Sequence, residues 1–159
     1  MKTLLLTPPF TQLNTPYPAT MYVKGFLNTL DVDSLQLDLG IEVILRLFTK
    51  ERLTEIFELV EQSDLEVSEN AYRILSLKEE YIHTIEPVIK FLQNRNSTLA
   101  YGIADSNFLP KASRFKQLGD VDWAFGAIGI LDKARHFATL YLQDLSDFIR
   151  ETIDPFFEF

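Results

Sequence analysis

A short apolar run near the start of the chain, "LLLTPPFTQLNTPYPA" (4–19), stops at Pro8-Pro9, and Pro16 and Pro18 come within ten residues of it. Two adjacent prolines remove two backbone donors and force the preceding residue into extended geometry. "KTLLLT" (2–7) is therefore a short strand and not the first turn of a helix. A strand that ends so early leaves the next segment to return to it. "YPATMYVKGFLNTL" (17–30) has helical spacing, with Pro18 suited to the first turn and Met21, Tyr22, Phe26 and Leu27 forming an apolar stripe. Gly25 inside it costs about 1 kcal/mol relative to alanine and is expected to mark close helix–strand packing. "DVDS" reads as a turn and "LQLDLG" (35–40) alternates like a second strand. Strand, helix and strand within 40 residues make a βαβ unit, whose strands should be parallel with a right-handed crossover.

No further strand is legible after Gly40. "IEVILRLF" (41–48) and "KERLTEIFELVEQ" (50–62) are helical, with a break at Thr49. Ser63 and Glu66 have capping-box spacing and are expected to open another helix. Residues 68–96 are helical, interrupted near Ser76 and kinked at Pro87. "STLAYGIADSNFL" is at most a short helix, and 110–122 is a connector. Residues 121–153 open on the glycine-bearing "FGAIG" (125–129) and continue as a long amphipathic helix, with Trp123 and Phe125 expected in the core. The fold class is α/β, mostly helical: a partial Rossmann-like βαβ unit of two parallel strands (1–48), followed by a helical bundle-like insert or lid (49–159) packed on it. An isolated strand pair is marginal, and both strands are apolar enough for burial on both faces, so the sheet looks unfinished.

Charge follows the same division. Residues 1–50 carry four basic and four acidic side chains; residues 51–159 carry 11 and 19, which places the whole net charge of −8 in the later part. No basic patch is present, which argues against nucleic acid as a partner. The opening "MKTLLLTPPF" has too short an apolar core for a secretory leader, and no run is long enough to span a membrane, so a cytoplasmic protein is expected. The chain has no cysteine, which removes disulfides, thiolate catalysis and thiolate-held clusters or zinc.

Few residues offer chemistry. Glu79, His83 and Glu86 share one helical face, and Glu80 with His83 copies the Glu-x-x-His spacing of di-iron bundles. The second such pair is missing, because His136 has Lys133 three residues before it. A solvated helix face is the simpler reading. Asp38 stands where a strand-end acid meets a ribose hydroxyl in dinucleotide folds, but no Gly-x-Gly-x-x-Gly precedes it, so capping of the next helix is expected instead. Walker and Gly-x-Ser-x-Gly motifs are absent.

Pro8-Pro9, Tyr17-Pro18 and Asp38-Leu39, in this order and spacing, carry a resemblance. "LLLTPPF…YPATMYVKGFLN…LQLDLGIEVILRLF" resembles the start of the cobalamin-binding domain found at the N-terminus of many radical SAM enzymes. It covers about a third of the chain. The first loop has no histidine, as in the branch that does not ligate cobalt through the protein. The later glycine pair and the three-cysteine motif of the family are absent. The resemblance implies an N-terminal fragment of a radical SAM Fe–S oxidoreductase or methyltransferase-type enzyme, with the rest of the sheet and the catalytic barrel beyond Phe159. Pro8, Pro9, Phe10, Tyr17, Pro18 and Asp38 would line the cofactor end of the sheet. The parent enzyme would use cobalamin, S-adenosylmethionine and a 4Fe–4S cluster; this chain alone would bind none of them and catalyse nothing. Its partners would be the remaining domains of the parent and, in isolation, a second copy in a homodimer. The alternative is a self-contained helical interaction module whose βαβ start is only scaffold, with the proline loop a stiff connector.

Overall fold

A computed structural model describes residues 2–9, 18–105, 107–117 and 129–158. Strands β1 (Thr3–Thr7) and β2 (Ser34–Asp38) pair in parallel, with Thr3 opposite Ser34, Leu5 opposite Gln36 and Thr7 opposite Asp38. Helix α1 (Pro18–Thr29) connects them. After α1 the chain turns through Asp31 at φ 52°, a left-handed position that a short polar side chain tolerates. The turn is closed by the Val32 N–H donating to the Leu27 carbonyl oxygen at 3.1 Å. The chain is thus α/β and mostly helical, with one two-stranded parallel sheet among the described residues.

Alternation along the strands sends two residue sets to opposite faces. One set meets α1: Gln36 Nε2 donates to Thr20 Oγ1 at 2.9 Å, and Lys24 Nζ donates to the Ser34 carbonyl oxygen at 2.5 Å. The other set, Leu4, Leu6, Leu35 and Leu37, forms a square of leucines that is exposed. The expectation of strands buried on both faces is corrected here. Two further expectations are overturned at α1. No residue of α1 is buried, and Met21, Tyr22 and Phe26 are more than 60% exposed. A Cβ placed on Gly25 would meet nothing within 4 Å, so this glycine marks no close helix–strand contact. The reason is common to both: α1 turns Thr20, Lys24 and the half-buried Leu27 to the sheet, and the rest of its apolar stripe, Met21, Tyr22 and Phe26, outward.

The chain divides into two compact units, Met1–Leu47 and Phe48–Glu158. The first ends with α2 (Leu39–Leu47). The second begins with α3 (Lys50–Glu61), whose N-cap is Thr49; its hydroxyl accepts the Arg52 N–H at 3.3 Å, and this explains the break expected at that position. Helix α4 (Glu69–Ser76) starts at Ser68, whose Oγ accepts the Ala71 N–H at 3.2 Å. Ser63 caps no helix start: its hydroxyl donates to the Val60 carbonyl oxygen at 2.7 Å and finishes α3 instead. Helix α5 (Lys78–Leu92) begins after Leu77 and runs through Pro87. Then come α6 (Leu99–Ala104), a 3-10 turn (Ser113–Gln117) and α7 (Ile130–Thr152).

Helix α7 organises this unit, and α4, α5, α6 and the 3-10 turn pack on it. Its buried face runs through Ala134, Phe137, Ala138, Tyr141, Leu145, Phe148 and Ile149, at the 3–4 residue spacing that a helix needs to present one apolar side. The Phe57 and Phe148 rings lie 5.3 Å apart, and Phe115 meets Phe137 edge-on at 5.9 Å. The aromatic tail splits: Phe157 is buried and Phe156 is 84% exposed. No helix among the described residues is long and apolar enough to cross a membrane. Phe10, Tyr17, Trp123, Phe125 and most of the "FGAIG" stretch lie outside the described residues.

Candidate functional site

The carboxyl end of the parallel sheet is where an open α/β fold receives ligands, because the loops there diverge and helix N-termini point toward it. The register Thr7 to Asp38 brings Pro8 and Asp38 to this same end. Pro8 is exposed and Pro9 half-buried, and Pro18 is exposed at the opening of α1. Asp38 is half-buried, and its Oδ1 accepts the Ile41 N–H at 3.1 Å. It therefore caps α2, the local role expected from its position. Of the six residues expected at the cofactor end, the structure thus places Pro8, Pro9, Pro18 and Asp38; Phe10 and Tyr17 fall in the segment it does not describe. At the opposite, amino end of the sheet, the Ser34 hydroxyl is buried with no hydrogen-bond partner among the described residues.

In the second unit, an open groove of about 700 Å3 runs between the α4–α5 junction and residues 107–111. Arg73, Glu79, Glu80, His83, Phe108 and Lys111 line it. Arg73 Nε donates to the Lys111 carbonyl oxygen at 2.7 Å, tying the two walls together. The His83 Nδ1 lies 2.7 Å from the Glu79 carbonyl oxygen, so Nδ1 carries the proton and donates it. Glu86 pairs with Lys90 at 3.8 Å along the helix surface. No group of three or more metal-ligating side chains comes together among the described residues. The Glu79–His83–Glu86 face is a solvated helix surface on which His83 and Glu86 have local partners.

The strongest polar arrangement is signalled by no motif. Asp144, wholly buried on α7, accepts the backbone N–H groups of Ala112 at 3.1 Å and Arg114 at 3.0 Å. Burial pushes its carboxyl above the ordinary carboxylate range, and the two amide donors only partly oppose that. On the surface beside it, the Arg114 guanidinium grips Asp147, with Nε–Oδ2 at 2.6 Å and Nη2–Oδ1 at 2.9 Å. One turn earlier on α7, Tyr141 stacks on Tyr81 with ring centroids 5.1 Å apart. Its hydroxyl donates to the Tyr81 carbonyl oxygen at 3.1 Å and lies 3.0 Å from the Thr84 hydroxyl. Burial drives both phenols well above their ordinary range. These groups hold a connector and a helix in place. The sequence signal that could have found Asp144 is a lone acid on the apolar side of a long amphipathic helix, where a charge is kept only if donors meet it.

No family profile, curated protein or solved structure matches the chain.

Proposed function

We propose that this chain is the opening βαβ segment, with its helical insertion, of a cobalamin-binding-type α/β domain belonging to a radical SAM enzyme. The observation that carries this is the parallel register, which sets Pro8 beside the end of β2 and puts the strand-terminal Asp38 at the same edge. A proline-stiffened loop offers few backbone donors. It suits a flat apolar ring better than a phosphate, which takes its contacts from amide N–H groups. The bare leucine square supports the same reading, since parallel strands are ordinarily covered on both faces by further elements of their domain.

The donor set limits what this segment contributes. Residues 1–47 contain no histidine, so they provide no imidazole to cobalt. A corrin would rest against Pro8, Pro9 and Pro18 by apolar contact, with Asp38 retained as the cap of α2. With no cysteine anywhere, the chain does not fit a 4Fe–4S cluster or the S-adenosylmethionine chemistry that depends on one, and those groups would belong to the rest of the parent.

Titration of the chain with hydroxocobalamin, followed by amide chemical-shift changes, tests the proposal. The expected result is no binding, or binding weaker than about 1 µM with shifts confined to residues near Thr7, Ala19 and Asp38–Gly40 and lost in Pro8→Asp. A sub-micromolar complex would overturn the reading of the chain as one segment of the domain, and shifts located in the second unit would favour a plain helical interaction module.

A further inference from the structure

Helix α1 presents its apolar side to solvent. Met21, Tyr22, Val23 and Phe26, with Leu30 just past its end, are between 45% and 79% exposed. The single charged residue of the helix, Lys24, is turned away from this side and donates to the Ser34 carbonyl oxygen. The exposed side therefore carries no charge. At mid-length on this side, next to Met21 and Tyr22, is Gly25, where a Cβ would have open space, so another backbone can approach closely there. Tyr, Phe and Met on a charge-free patch are the composition of an interface core.

We propose that this face binds the same face of a second copy of the chain, α1 against α1 about a two-fold axis passing near Gly25. Charge decides where two copies can touch. The first unit carries three basic and four acidic side chains, whereas the second carries nearly all of the net −8, so two copies repel wherever their second units approach. Contact through α1 brings together a helix face of the first unit that has no charge to desolvate or oppose. The area agrees. Taking ~200 Å2 for each aromatic side chain and less for the aliphatic ones, and scaling by their exposure, the five residues offer on the order of 500 Å2 per copy. Two copies then bury about 1,000 Å2, at the small end of specific interfaces, which points to a weak, concentration-dependent dimer. The leucine square lies on the opposite side of the sheet from α1 and takes no part.

Sedimentation velocity from about 1 µM to about 1 mM, paired with far-UV circular dichroism, tests this. The intact chain should pass from monomer to dimer within that range. Phe26→Glu should remain monomeric throughout with an unchanged spectrum, while Leu4→Lys, on the leucine square, should dimerise like the parent. A monomer at the highest concentration, a dimer that survives Phe26→Glu, or growth beyond the dimer would overturn the proposal. The chain has no cysteine of its own, so Gly25→Cys provides a second measurement that does not depend on the folding of the charged variant. Mild oxidation should give a disulfide-linked dimer, and failure to cross-link at concentrations where the parent dimerises would exclude a crossing at Gly25.

Discussion

The Arg114 backbone N–H donates to the carboxylate of Asp144 at 3.0 Å, 30 residues further along the chain and wholly buried on α7. With the Ala112 N–H on the other oxygen at 3.1 Å, it ties the connector before α7 to the middle of that helix. Asp144→Asn keeps the shape but turns an amide NH2 toward one of these donors. A loss of about 1–3 kcal/mol is expected in urea unfolding, and more for Asp144→Ala.

The pH dependence of that loss has a definite sign. Burial, reinforced by Asp147 and opposed by the two amides and by the Arg114 charge, raises the folded-state pKa of Asp144 above its unfolded value. A raised pKa gives stabilisation that is fully present below the unfolded value of ~3.9 and fades as pH rises through the folded one. The amide of the Asp144→Asn variant cannot titrate. Its deficit against the parent chain should therefore be largest in acid and narrow toward neutrality. A deficit that widens with pH would show that the buried carboxylate is stabilised more as the anion.

Tyr81 and Tyr141 should respond oppositely to loss of the hydroxyl. The Tyr141 hydroxyl is hydrogen-bonded to the Tyr81 carbonyl oxygen and to Thr84, so Tyr141→Phe should cost about 1 kcal/mol. The Tyr81 hydroxyl is buried without a partner among the described residues, so Tyr81→Phe should leave stability unchanged or raise it. Both phenols are raised by burial, so the stability they contribute is lost as pH climbs above ~10. In a spectrophotometric titration these two should ionise only as the chain unfolds.

The two serines at the α3–α4 connection separate a real cap from an apparent one. Ser68 accepts the Ala71 N–H and also holds Glu151, its own N–H and hydroxyl donating at 2.6 and 2.8 Å. Ser68→Ala should lower stability by about 1 kcal/mol. Ser63→Ala should change it by less than ~0.5 kcal/mol, because its hydroxyl only donates to the last turn of α3. Thermal or urea midpoints of the two variants decide the point.

Gly25→Ala should stabilise α1 by about 1 kcal/mol at low protein concentration, since the added methyl meets no atom and alanine restricts the unfolded chain. Loss of stability in that variant, measured by thermal unfolding, would mean that Gly25 is needed by a contact within the same chain.

Local chemistry made much of this protein legible in its sequence. Pro8-Pro9 ends β1, Pro18 opens α1, Thr49 separates α2 from α3, and the interruption at the end of α4 falls at Leu77, one residue past the expected position. Each is a matter of backbone donors and dihedral limits within a few residues, which neighbours in sequence are enough to settle. Asp38 as a cap belongs to the same class. The failure of Ser63 as a cap does not, because its spacing to Glu66 is a local pattern, while the helix starts instead at Ser68, which the long-range partner Glu151 also holds. Tertiary structure alone decided which apolar faces are covered. Met21, Tyr22 and Phe26 on α1 and the square of Leu4, Leu6, Leu35 and Leu37 have the spacing of core residues, yet all are exposed, while the acidic Asp144 is buried. Periodicity fixes which side chains share a face. What that face meets depends on residues far away in sequence, and Asp144 is tolerated inside only because the chain returns to it with two amide donors.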